Sequence, residues 1–260
     1  MDLRPLGDTG IRVSPLGLGT VKFGRNRQVK YPRPFDLPSD DQVHDLLALA
    51  RDLGINLLDT APAYGIAQER LGRLLPGPRE DWVIVSKTGE SFAGGLSRFD
   101  FGYRATLETV EDSLRTLGTD YLDAVLIHSD GRDLAILEEE GALDALRELK
   151  RRGLIRAHGM STKTVAGGIR AVREMDLVMA TCNPGHRDEL PVLETAARLG
   201  KGVLVKKGLA SGRVSGAEGV RRALEFVFAQ PGVSSLIVGT IDPAHLRQNC
   251  ALAEAVLSAP

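Results

Sequence analysis

Cysteine is scarce in this sequence: Cys182 and Cys250 are the only two in 260 residues, and they lie far apart. That excludes a disulfide framework and any CxxC-type metal or redox motif, and it sets the expectation of a reduced, cytoplasmic protein. An excess of one charge is also lacking. Lys and Arg number 33 against 34 Asp and Glu, a formal net charge of −1, so nucleic acid and anionic membrane surfaces are not expected as partners. No apolar run approaches the roughly 18 residues that a membrane span requires. The opening "MDLRPLGDTG" carries charges and turn residues where a signal peptide would have its apolar core. A phosphate-binding glycine fingerprint is missing too. "GLGTVKFG" holds a GxG, but no third glycine opens a helix behind it.

What is there is an ordinary globular balance, 43% hydrophobic and 26% charged residues, sufficient for a sizeable core. The length suits one large α/β barrel or two small domains. With no linker and no low-complexity tract, a single domain over residues 1–260 is expected. "LRPLGDTGIRV" reads as a β-hairpin turning at Asp8-Thr9-Gly10. Eight short apolar runs follow: Pro15–Thr20, Ile55–Thr60, Trp82–Lys87, Leu122–His128, Leu154–Met160, Leu177–Cys182, Gly202–Lys207 and Ser234–Thr240. Helix-period segments fill the gaps between them. The stretch after Ser39 runs to Gly54, and "RATLETVEDSLRTLG" stops at Gly118, with Ser39 as the expected N-cap and each glycine as a stop. Further helices are expected over Leu143–Arg152, Thr164–Glu174, Leu190–Leu199, Gly219–Ala229 and Pro243–Leu257. Eight strand–helix repeats in this length predict a (β/α)8 TIM barrel, with the N-terminal hairpin outside the repeat and closing its lower end. A doubly wound sheet alternates in the same way, but lacks its fingerprint here.

In a parallel barrel the chemistry gathers at the C-terminal ends of the strands. The polar residues that end the apolar runs are therefore the candidates. Strand two of the repeat ends at Asp59, with Tyr64 in the following turn, strand three at Lys87 and strand four at His128. Each alone reads more readily as a turn, packing, solvated or hydrogen-bonded core residue. Together they suit proton delivery by a phenol. A free tyrosine has a pKa near 10, so it needs a cation nearby to exchange protons near neutrality. Lys87 is expected to supply that charge, Asp59 to anchor the lysine, and His128 to bond the same oxygen.

"DTAPAYG", "VSKTG" and "LIHSD", in this order at these strand ends, resemble the catalytic segments of the aldo-keto reductases. The similarity runs from "RPLGDTGIRVSPLGLGT" to "PGVSSLIVGTIDPAHLRQN", nearly the whole chain. It implies a (β/α)8 fold, NADP(H) or NAD(H) bound without a Rossmann domain, and a tetrad of Asp59, Tyr64, Lys87 and His128 with Tyr64 as proton donor to a carbonyl. It also implies that Gly19, Thr20 and Asp59 border the cofactor. Ser161 falls in the family's Ser-Asn carboxamide clamp, while Thr162 replaces the Asn and Met179 the usual Gln. Lys206 stands where an aromatic residue commonly stacks on the nicotinamide, with Lys207 next. The Gly208–Arg213 loop, including Leu209, Ser211, Gly212 and Arg213, suits a pyrophosphate, because Gly and Ser let backbone N–H groups approach it. After the last strand, Gly239, Ile241 and His245 replace the family's 2′-phosphate cations, Thr240 keeps a hydroxyl, and Asn249 matches the adenine contact. Asp242 reads as a helix cap. A relaxed or NAD-leaning preference follows.

The long basic segment after the first barrel strand, with Phe23, Tyr31 and Phe35, is expected to be a lid. "ESFAGGLSRFDFGYR" is expected to form another wall, and its "FDF" resembles the sugar-dehydrogenase branch, which forms lactones. The chain ends soon after its last helix, so an open pocket of modest selectivity is expected. The expected partners are a small carbonyl or sugar substrate, with the protein a monomer or weak homo-oligomer. Two rivals stay open: a Schiff-base enzyme using Lys87, and a cofactor-binding regulatory module with little turnover.

Overall fold

A computed structural model describes residues 1–214 and 216–259. It opens on an antiparallel pair, β1 (Arg4–Pro5) and β2 (Arg12–Val13), joined through a 3-10 turn at Gly7–Thr9. There follow β3 (Leu16–Gly19), a single-turn helix α1 (Val21–Gly24), α2 (Asp40–Asp52), β4 (Leu57–Asp59) and α3 (Ala67–Leu74). Then come β5 (Val83–Thr88), β6 (Glu90–Ala93), β7 (Leu96–Phe99), α4 (Tyr103–Leu117) and β8 (Leu122–His128). The second half comprises α5 (Asp133–Glu139), α6 (Ala142–Arg151), β9 (Ile155–Ser161), α7 (Val165–Glu174), β10 (Leu177–Thr181) and α8 (Leu190–Arg198). It closes with β11 (Gly202–Lys206), α9 (Gly216–Phe228), β12 (Val233–Val238) and α10 (Pro243–Leu257).

The eight apolar runs pair in parallel as β3-β4-β5-β8-β9-β10-β11-β12, and β12 returns to β3 with Leu236 opposite Leu16. The barrel is closed, so it has no open edge. Alternation along each strand divides the core in two. Leu57, Val83, Val85, Leu126, Leu177 and Leu204 point inward, while Leu58, Ile84, Val125 and Val178 pack beneath the helices. Each such buried side chain contributes about 1.5–3 kcal/mol against its exposed state. The hairpin adds Leu6, Ile11 and Val13 to the inner cluster, and Asp8 N–H donates to Gly200 O, so it plugs the lower end as expected.

Local signals act as read. Ser39 and Gln42 form a reciprocal capping box at the start of α2, and α4 ends at Gly118 in the left-handed region. Two features differ. Phe23 is fully buried on α1 rather than part of a lid, because the single helical turn tucks it into the outer core. The wall after β5 is a hairpin, β6–β7, with Glu90 opposite Phe99 and a two-residue Gly94-Gly95 turn. Among the described residues, no helix is long and apolar enough to cross a membrane.

Candidate active site

Asp59 ends β4, Lys87 lies one residue before the end of β5, and His128 ends β8, three neighbouring staves of the barrel. Tyr64 comes from the 3-10 turn Pro62–Tyr64 behind β4, and its side chain packs back against the core. That turn is held by close backbone approach. A Cβ on Gly24 would lie 2.3 Å from Tyr64 O, and one on Gly65 would lie 2.2 Å from Gly24 O. Only glycine fits at this crossing of α1 and the Tyr64 turn.

Lys87 Nζ lies 2.5 Å from Asp59 Oδ1 and donates to Thr60 O at 2.9 Å. The same ammonium stands 4.9 Å from the centre of the Tyr64 ring. The Tyr64 and His128 rings meet edge-on, centroids 6.3 Å apart at 88°. The four residues thus converge, with Lys87 between the acid and the phenol. The electrostatics differ from expectation. Burial pushes the Tyr64 phenol well above its usual range, and Asp59, Tyr31 and Glu90 push the same way, with Arg25 opposing. Lys87 is committed to Asp59, so its charge is largely offset before it reaches the phenol. Tyr64 is a firmly protonated donor rather than a phenol on the edge of ionising.

His128 is held below the usual imidazole range, first by burial and then by the charges of Lys87 and Lys206, with Glu90 opposing. Glu90 Oε2 is 2.9 Å from His128 Nδ1, a close contact that approaches off the line of an aligned ring hydrogen bond. Lys206 Nζ donates to Ser161 Oγ at 2.9 Å and to Thr162 O at 2.6 Å. Burial, and then repulsion from Lys207 and Lys163 against the attraction of Glu189 and Asp133, brings its pKa down to about 7.

These residues line one cavity of about 470 Å³, which runs from Tyr64, Lys87 and His128 past Ser161, Met179 and Lys206 to Gly239, Thr240 and Asn249. Its size is within the range of small-molecule and cofactor sites. Its far wall is Lys207, Leu209, Ser211 and Gly212, a backbone-rich loop with cationic side chains beside it, which fits a diphosphate. Lys30, Lys163, Lys206 and Lys207 also line it, and no carboxylate lies within ion-pair distance of them among the described residues. The donor set therefore suits an elongated anion. A second cavity of about 650 Å³ lies behind the β6–β7 hairpin, against α3 and α4. It shares Glu90 and Phe99 with the first but contains none of the expected site residues.

Segment 25–38 crosses the mouth. Tyr31 packs edge-on against Phe35, Lys22 lies over both rings, and a Cβ on Gly239 would come 2.5 Å from the Tyr31 phenol oxygen. Arg25 fastens this strap. It donates to Ala63 O at 3.0 Å, to Gln28 O and to Ser97 Oγ, and it covers the Phe92 ring at 3.7 Å.

Of the expected cofactor contacts, Gly19, Asp59, Ser161, Lys206, Lys207, Leu209, Ser211, Gly212, Gly239, Thr240 and Asn249 line the cavity. Four do not. The Thr20 hydroxyl is turned to Asp59 O, and that of Thr162 to Glu189 Oε2 at 3.1 Å. Arg213 is exposed beyond the 3-10 turn Ala210–Gly212. His245 is exposed on α10, 3.4 Å from Asp242, which caps that helix as read. Asn183 braces a turn through Lys207 O and Gly185 N–H. Sequence reasoning passed over Arg25, Lys30, Glu90 and Lys163. For Glu90 the only signal was an acid directly behind the glycine that ends "VSKTG".

The sequence profile of the Aldo/keto reductase family matches residues 15–221. The chain is 30% identical to pyridoxine 4-dehydrogenase of Escherichia coli, over 95% of this chain and 93% of that protein. It is 25% identical to L-galactose dehydrogenase of Arabidopsis thaliana, over 96% and 88%. A solved structure from Pseudomonas aeruginosa, assigned there as an aldo-keto reductase, superposes with a TM-score of 0.91. Its sequence is 57% identical, and the match covers 98% of this chain and 96% of that one.

Proposed function

The chain belongs to the aldo/keto reductase family, and from that premise we propose that it interconverts a carbonyl compound and an alcohol with a nicotinamide dinucleotide. Tyr64 is the proton donor in this reading. The observation that carries it is the convergence of Tyr64, Lys87, Asp59 and His128 at one end of a long, cation-lined cavity. When bound, the nicotinamide supplies or accepts the hydride. The protein does the rest. Lys207 and the Leu209–Gly212 turn would hold the dinucleotide's diphosphate, Ser161 and Lys206 its carboxamide end and Asn249 its adenine, along a cleft bordered by Gly19 and Gly212.

Tyr64 gives its proton to the carbonyl oxygen as the carbon is reduced. Its high proton affinity keeps it loaded at neutral pH. His128 orients the oxygen from the other side. An open cleft and the named relatives favour small aldehydes, pyridoxine-like alcohols and aldoses as the substrate class, and a lactone-forming aldose dehydrogenase is the nearest variant of this reading. A cytoplasmic setting belongs to it too, since both thiols are buried and pushed up to about 11 by that burial.

The test is a panel of carbonyls, aldoses and pyridoxine with NADH, NADPH and their oxidised forms, for the wild type and Tyr64→Phe. Loss of at least a thousandfold in kcat in the variant, with cofactor binding retained, is expected. Equal turnover removes the proton-donor role. Cofactor binding without any turnover across the panel favours a regulatory module.

A further inference from the structure

Lys206 is a cation without a counter-ion at the working end of the cleft. It ends β11, opposite Thr181 of β10, and Ser161, whose hydroxyl it bonds, lies opposite His128 of β8. An ammonium has three N–H donors. Two are taken by Ser161 Oγ and Thr162 O, and among the described residues the third meets no acceptor. Glu189 and Asp133 attract the amine from beyond contact, but both acids are held by other groups. Glu189 accepts from Thr181 N–H at 3.0 Å and from the Thr162 hydroxyl at 3.1 Å. Asp133 accepts from the N–H groups of Lys163 and Thr164 and from the Ser129 hydroxyl. Lys207 and Lys163 repel the amine, and its own charge in turn opposes a positive His128. That uncompensated charge borders the same cavity as Tyr64 and His128.

The two redox forms of a nicotinamide differ by one unit of charge on the ring: the oxidised ring is a cation and the reduced ring is neutral. The ring has to reach the carbon whose oxygen faces Tyr64 and His128, which places it beside Lys206. An ammonium there repels the oxidised ring and has no net charge to repel in the reduced one. Its attraction for the diphosphate is common to both forms and cancels when they are compared. We propose that Lys206 is a specificity-determining residue that selects the reduced, uncharged nicotinamide over the oxidised, cationic one. The proposal rests on the function proposed above and adds a direction to it. The charged lysine hastens departure of the oxidised cofactor after a carbonyl is reduced, and it hinders capture of that cofactor for alcohol oxidation.

The preference varies with the proton on the amine. Burial, Lys207 and Lys163 bring the pKa of Lys206 down to about 7 against Glu189 and Asp133. A cationic ring binds best to the neutral amine, so the oxidised form drives a proton off wherever the free protein still carries one. Its affinity therefore weakens as pH falls below 7 and levels off above. One pH unit below that pKa changes the ratio of the two affinities by up to about tenfold.

The test is the dissociation constant of each redox form, NADH against NAD⁺ and NADPH against NADP⁺, at pH 6.0 and pH 8.5. Fluorescence titration reads the reduced form, and its displacement reads the oxidised one. In the wild type the oxidised-to-reduced ratio of Kd is expected to be at least about fivefold larger at pH 6.0 than at pH 8.5. In Lys206→Met it is expected to differ less than about twofold between the two conditions and to match the wild type at pH 8.5. Lys206→Arg, which stays charged throughout, is expected to keep a high ratio at both, and melting curves establish that each variant is folded. A wild-type ratio that is flat with pH overturns the proposal. So does a step in Lys206→Met as large as that of the wild type, or a ratio in Lys206→Arg that falls at pH 8.5. A wild type that binds neither pair would sink the proposed function itself, whereas binding of both forms with a flat ratio removes only the role of Lys206.

Discussion

Lys87 Nζ and Asp59 Oδ1 meet at 2.5 Å while only 2% and 5% of these residues is exposed. Removing one partner of such a pair strands the other charge in a dry site. Asp59→Asn is expected to cost about 3–5 kcal/mol in unfolding free energy, the range for a broken buried pair. Adding Lys87→Met to that variant should recover most of the loss, since a packed apolar side chain replaces the stranded ammonium. Urea unfolding of the two variants at pH 7 checks this. A double variant as unstable as Asp59→Asn would mean that the cost lies elsewhere.

Lys206 gives a pH dependence with a definite sign. An unfolded lysine titrates near 10.5, and this one is brought down to about 7 in the folded protein. Between those values the unfolded chain binds more protons, so wild-type stability rises with pH from about 7 upward and the penalty is complete below 7. Lys206→Met should therefore raise Tm at pH 6.5 by about 2–4 °C, the shift that roughly 1 kcal/mol produces in a domain of this size. The advantage should shrink by pH 9. Calorimetry at the two pH values decides it, and a constant difference would refute the assignment.

The crossing at Gly24 and Gly65 predicts a catalytic defect from a residue that touches no substrate. Gly24→Ala must push the Tyr64 turn away, because the contacts are backbone atoms at 2.3 Å and cannot rotate aside. A cost of about 1–3 kcal/mol in stability is expected, as for overpacking elsewhere. Displacing Tyr64 by about 1 Å is expected to lower kcat roughly a hundredfold. Unfolding curves and steady-state kinetics on one preparation give both numbers. Wild-type kcat in a folded variant would show that the turn tolerates the shift.

Cofactor choice follows from the Gly239–Asn249 end of the cleft. Ile241 and His245 do not line it, and His245 is turned to Asp242 in solvent. Kd values for NADH and NADPH within about tenfold of each other, or favouring NADH, are expected by fluorescence titration. NADPH bound a hundredfold more tightly would contradict this. The strap's Lys30 would then be the first cation to remove.

The barrel was legible because its signal is repetitive: eight apolar runs between helices punctuated by Ser39, Gly118 and their like. The converging quartet was legible for the same reason, since a strand end is a position that can be counted. Orientation was not. Thr20 and Thr162 occupy the anticipated places in the chain, but their hydroxyls find backbone and Glu189 partners away from the cleft. Glu90 was invisible because nothing periodic leads to it. One positive-φ glycine redirects the strand, and only the packing of Phe101 fixes where the next side chain goes. Phe23 was misplaced because an aromatic in a polar stretch looks the same whether it caps a core or a loop.

Arg25 joins three pieces of chain through a single guanidinium: the strap by its own backbone neighbours, the Tyr64 turn at Ala63 O, and the hairpin at Ser97, Glu90 and Phe92. Loops grafted singly from a relative would arrive without their clasp. New selectivity in this scaffold should therefore be acquired by exchanging the three segments as one cassette, and a chimera that keeps this arginine while replacing only one of them inherits a mismatched hinge.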